Sequence, residues 1–122
     1  MKKTYWRRKI IEYCEAAGTY KPFFNAPIET LASILEQRDK AMVQFTSSGG
    51  EVLVEHTNQG GATNVTINPA LRLINELNRD ALAYWRDLGL TPAGLKKIDE
   101  KALKEKKQEG ITDILNALYD KL

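Results

Sequence analysis

The sequence predicts a mainly α fold: a compact helical domain with one β-hairpin inserted between the second and third helices. Three observations lead to this prediction. Apolar residues recur at helical spacing in several segments, a proline beside a capping residue opens three of them, and one stretch bounded by glycines alternates with a period of two. The chain has 122 residues, 43% of them hydrophobic, so it is long enough to form one globular domain with its own core.

The first two helices are predicted from their apolar stripes and their end residues. Helix one runs from Thr4 to Ala17, and Gly18 follows where helices commonly end in a left-handed residue. Helix two opens at Asn25-Ala26-Pro27, and its apolar stripe continues to Phe45. Two amphipathic helices therefore precede the hairpin.

Residues 51–67 are predicted to form the hairpin. Val52 and Val54 point to one side of the first strand and Leu53 to the other, and turn residues separate this strand from a second β-rich run over 62–67. An isolated hairpin is marginally stable in water. We therefore expect it to pack on the helices or to pair with a neighbouring subunit.

A long third helix opens at Asn68-Pro69 and ends at Gly89, and Thr91-Pro92 opens a fourth helix that is expected to run to about Lys107. The apolar face of helix three is wider than one small core needs, which predicts an oligomer interface. The residues assigned to that interface are Leu73, Leu77, Tyr84 and Trp85.

The C-terminal part of the chain is predicted to be separate from the core. Gly110 indicates a break before a short amphipathic helix five over 111–122. Residues 1–98 are accordingly predicted to be the helical core domain with its hairpin, and 99–122 a charged linker with a short C-terminal helix.

Residue patterns typical of enzymes and metal sites are missing from the sequence. It has no GxxxxGK[ST] phosphate loop, its single His56 has no partner at ligand spacing, and its single Cys14 cannot by itself build a zinc site. Carboxylate pairs such as Glu36 with Asp39 have basic residues nearby and are typical of solvated helix faces. We predict no enzyme activity, no cofactor, no metal and, because no apolar run could cross a bilayer, no membrane partner.

Positive charge is the chemical feature that stands out, although the formal net charge is only +2. Five cations and no acid lie within the first nine residues: Lys2, Lys3, Arg7, Arg8 and Lys9. Such a cluster can contact DNA phosphates, and it can equally serve only to keep the terminus soluble. A second cluster contains Lys96 and Lys97, diluted by Asp99 and Glu100. DNA contact is predicted at both clusters, with the larger effect at the first.

Asn68-Pro69 opens the long third helix, and Leu88-Gly89-Leu90-Thr91-Pro92 follows at its end. In this combination residues 5 to 98 resemble the small-subunit family of tailed-phage terminases, in which Asn-Pro opens a long helix that finishes in a Leu-Gly-Leu-Thr-Pro motif. Family members commonly place an arginine shortly after Thr-Pro. This chain has Ala93-Gly94-Leu95 there, followed by Lys96-Lys97.

The resemblance implies a non-catalytic component of viral genome packaging. Such subunits form homo-oligomeric rings, recognise double-stranded viral DNA and regulate the large subunit that carries the ATPase and nuclease, in the cytoplasm of the host cell. Two alternatives stay open: a small helical DNA-binding transcriptional regulator, and a structural phage protein that binds no nucleic acid. A regulator is expected to be a dimer, whereas a terminase small subunit is expected to be a closed oligomer above a tetramer.

Overall fold

The structure is a computed structural model that describes residues 1–121. Within that range the chain forms four α-helices, one short 3₁₀ turn at Pro22–Phe24 and one antiparallel β-hairpin. The elements are α1 Lys3–Ala17, α2 Asn25–Ser47, β1 Leu53–Thr57, β2 Thr63–Ile67, α3 Pro69–Asp87 and α4 Pro92–Asp120. The predicted mainly α fold, with the hairpin between the second and third helices, is confirmed.

The core lies where α2 packs against α1 on one side and α3 on the other. Helices α1 and α2 contribute several buried side chains, α3 contributes Ala81, and Leu88 follows directly after α3. Partly buried aromatic residues pack against this cluster. The buried members are Ile10, Cys14, Ile28, Leu31, Ala32, Leu35, Ala81 and Leu88. Burial of a Leu or Ile side chain contributes roughly 1.5–3 kcal/mol, so this three-helix cluster is the main source of stability.

The hairpin projects from the helices. Its strands pair in the register Leu53 with Ile67 through Thr57 with Thr63, and of their residues only Val54 is partly buried. Asn68 fixes its base, because the Asn68 backbone N–H donates to the Val52 carbonyl at 2.8 Å and the side chain accepts from the Ala70 N–H at 3.0 Å. One buried asparagine thus closes the hairpin and caps α3.

The predicted break at Gly110 is wrong, because α4 continues through it to Asp120 as a single helix. An isolated glycine weakens a helix interior by only about 1 kcal/mol, and the Lys, Glu, Gln, Ala and Leu residues around it are strong helix formers. All residues over 99–121 are exposed. The division at 98/99 stays a prediction, and Leu122, the last residue of predicted helix five, lies outside the described residues.

Candidate functional site

The turn between α3 and α4 packs against the end of α1. Leu88 is 1% exposed, and its carbonyl accepts a hydrogen bond from the buried Thr19 hydroxyl at 2.9 Å. Gly89 adopts a φ of +74°, and the Thr91 hydroxyl caps α4 by accepting from the Gly94 N–H at 3.1 Å. The Leu-Gly-Leu-Thr-Pro segment is therefore a structural joint between two helices.

Two glycines allow the segments on either side of this turn to pack closely together. A Cβ at Gly89 would lie 2.7 Å from Ile98 Cδ1. A Cβ at Gly94 would lie 2.9 Å from the Arg86 carbonyl carbon and nearer still to its oxygen. Gly94 therefore permits the first turn of α4 to pack on the last turn of α3.

The predicted basic cluster of α1 is divided between two faces of the helix. On the face toward α2, Arg7 Nη1 lies 2.7 Å from Glu29 Oε1, and Lys3 Nζ lies 3.0 Å from Glu29 Oε2. Hydrogen bonds from Arg7 and then Lys3 hold the pKa of the Glu29 carboxyl below its ordinary value. One carboxylate thus pairs with two of the five predicted DNA-binding cations.

Two of the remaining cations, Arg8 and Lys9, lie beside the Tyr5 ring of α1. The Arg8 guanidinium carbon and Lys9 Nζ lie 5.9 and 5.8 Å from the centre of the Tyr5 ring, within cation–π range. Lys9 also pairs with Glu12 at 3.4 Å. Within residues 1–121, Lys2 and Arg8 are the members of the cluster that form no ion pair.

Acidic residues of α2 hold α1 in place. Trp6 Nε1 donates to Asp39 Oδ2 at 2.7 Å, and the Lys3 backbone N–H donates to Glu36 Oε2 at 2.6 Å. Burial raises the pKa of Asp39, but hydrogen bonds from Trp6, the Met1 amino group and Arg38 outweigh it and lower this pKa below its ordinary value. The interpretation of Glu36 and Asp39 as a solvated face is wrong, because both are half-buried against α1.

Lys96 and Lys97 lie exposed in the first turns of α4. Lys97 lines a shallow groove between α3 and α4 together with Arg86, Lys101 and one acid, Asp87. None of these basic side chains forms an ion pair in the part of the chain that the structure describes. Arg86 therefore belongs to the second basic cluster. The sequence did not indicate this, because Arg86 lies on the preceding helix.

The predicted interface residues differ in their exposure. Leu77 is only 8% exposed, and Tyr84 and Trp85 are partly buried against the core, so all three contribute to the packing of this chain. Leu73 is 45% exposed. Leu82, which the prediction omitted, is 47% exposed. Leu73 and Leu82 are therefore the exposed large apolar side chains of α3.

The described residues form neither a membrane-spanning helix nor a metal-binding cluster. Across residues 1–121, no helix has the length and hydrophobicity needed to span a bilayer. The same residues contain no group of three or more His, Cys, Asp or Glu side chains arranged to hold a metal ion. The exposed features of the described residues are the basic clusters, the projecting hairpin and the exposed apolar side chains.

These features define a small, mainly α protein whose exposed chemistry is positive charge and unpaired apolar surface. The family model for the phage terminase small subunit matches residues 3–105, and the chain belongs to this family. Its role is thus that of a small subunit in phage DNA packaging, in a family that is generally non-catalytic. Neither a curated protein nor a solved structure matches the chain significantly.

Proposed function

We infer that this chain is the DNA-recognition component of a phage packaging terminase, acting in the cytoplasm of the host cell. In this proposal it assembles into a closed homo-oligomer, binds double-stranded viral DNA without catalysing a reaction, and regulates the large ATPase and nuclease subunit. The family match over residues 3–105 carries the proposal. The connector between α1 and α2 supports it over a helix-turn-helix regulator, because residues 18–24 form a longer connection than the usual turn of three or four residues.

The α1 cluster and the α4 lysines Lys96 and Lys97 are the proposed DNA surface. Phosphate contacts give affinity that falls steeply with salt, and a ring presents many copies of each cluster to one duplex, so weak contacts add together. The ion pairs change which single substitution is expected to weaken DNA binding most. Arg7 must exchange its Glu29 partner for a phosphate, whereas Arg8 has no such pair to lose.

Light scattering and a duplex titration at two salt concentrations test this proposal. The wild type is expected to be larger than a tetramer at micromolar concentration and to lose affinity as salt rises. Arg8→Ala is expected to weaken binding to all sequences and to flatten the salt slope, with Arg7→Ala as the matched control of smaller effect.

Three results would count against parts of the proposal. A monomer or dimer argues against the closed oligomer and favours a regulator. No DNA binding at low salt favours a structural phage protein. A loss of affinity in Lys96→Ala/Lys97→Ala but not in Arg8→Ala assigns the DNA surface to α4 instead of α1.

A further inference from the structure

The exposed face of α3 carries two rows of opposite charge. Arg72, Arg79 and Arg86 repeat every seven residues, which places them on one line along the helix at intervals of about 10 Å. Glu76, Asp80 and Asp87 form a second line beside it. All six side chains are exposed, and none forms an ion pair among residues 1–121.

Each charged row borders one exposed leucine. Arg79, Leu82 and Arg86 are neighbours on the helix surface, and we name them the basic flank. Leu73, Glu76, Asp80 and Asp87 are neighbours on the other side, and we name them the acidic flank. Leu73 and Leu82 are nine residues apart, which places them about 180° apart around the helix. The two flanks therefore face in different directions.

This arrangement favours a contact between unlike surfaces. An isologous contact joins the same patch on both copies, so through either flank it would set like charges against each other. A heterologous contact joins the basic flank of one copy to the acidic flank of the next, and repeated rotation closes such contacts into a ring. A contact that uses one flank of each copy brings opposite charges together only in the heterologous case.

We propose that α3 helices of successive copies of this chain pack side by side and parallel, basic flank against acidic flank. The inference rests on the self-assembly part of the proposed function and names its contact surface. A ring involves no shift along its axis, so helices parallel to that axis meet in register. Arg79 then lies beside Asp80 of the next copy, and Arg86 beside Asp87 of the next copy, while Leu73 and Leu82 lose exposed apolar surface.

Complementary charge reversal tests this contact. Arg79→Glu/Arg86→Glu makes both flanks acidic, and Asp80→Lys/Asp87→Lys makes both basic. Each variant alone is expected to need a concentration about tenfold or more above that of the wild type for half-assembly. An equimolar mixture is expected to restore contact between copies, because unlike variants then meet with opposite charges. Such alternation closes into a ring when the number of copies is even.

The matched control is Lys104→Glu/Lys106→Glu, which reverses two charges on the exposed distal part of α4. It is expected to assemble as the wild type does. Light scattering measures assembly, and far-UV circular dichroism checks that each variant keeps its helical content. The duplex titration is repeated on every variant.

The outcomes separate this inference from the proposed function. If the wild type assembles and both charge variants assemble equally well, the flanks are not the interface and this inference alone fails. If the arginine variant assembles normally but binds DNA more weakly, the arginine row contacts phosphates and the inference is overturned. If the wild type is monomeric, the inference and the proposed closed oligomer fail together.

Discussion

Gly94→Ala is expected to destabilise the protein through one backbone contact. The added Cβ would lie 2.9 Å from the Arg86 carbonyl carbon and nearer to its oxygen, and neither atom can move aside by rotation of a side chain. Overpacking of this kind costs roughly 1–3 kcal/mol, and the better helix propensity of alanine offsets about 1 kcal/mol of it. Because backbone meets backbone, we take the upper end of that range, about 3 kcal/mol. The free energy of unfolding is then expected to fall by about 2 kcal/mol and the Tm by roughly 6–12 °C.

Gly110→Ala is the matched control in the same helix. A Cβ at Gly110 would have no atom within 4 Å, so only the propensity gain of about 1 kcal/mol remains. This gain is expected to appear as a stronger helical signal at 222 nm with little change in Tm, because the distal part of α4 is exposed and adds nothing to the core. Thermal unfolding followed by circular dichroism measures both variants. A Gly94→Ala variant that melts at or above the wild-type temperature would refute the close α3–α4 joint.

Two further predictions concern the core and the attachment of α1. Leu77→Asp places an unpaired charge at a site only 8% exposed and is expected to cost several kcal/mol; a wild-type Tm in this variant would show that the residue is not in the core. The lowered pKa values of Glu29 and Asp39 mean that their ionised forms stabilise the fold above the unfolded pKa of about 4. This contribution is lost as pH falls through the lower folded pKa, so Asp39→Asn is expected to show a flatter dependence of Tm on acid pH, and an unchanged dependence would contradict the assignment.

The helix ends could be predicted from the sequence because local chemistry decides them. Gly18 and Gly89 adopt the left-handed backbone that ends α1 and precedes α4, and Thr91 accepts the capping hydrogen bond expected of it. These conformations depend on residues within one helical turn. The hairpin could be predicted for the same reason, because the alternating strand residues and the turn residues between them are adjacent in the chain.

The charged surface shows what the sequence alone determined and what required the tertiary structure. By itself the sequence located the cations of α1, the helices and the hairpin between them, because composition and short-range periodicity determine these features. Only the tertiary structure placed Glu29 against Arg7 across 22 positions, and only it buried Leu77 while leaving Leu73 exposed. Periodicity shows that a helix has an apolar face, but which part of that face is covered, and which charge is paired, depends on the angle at which another helix packs against it.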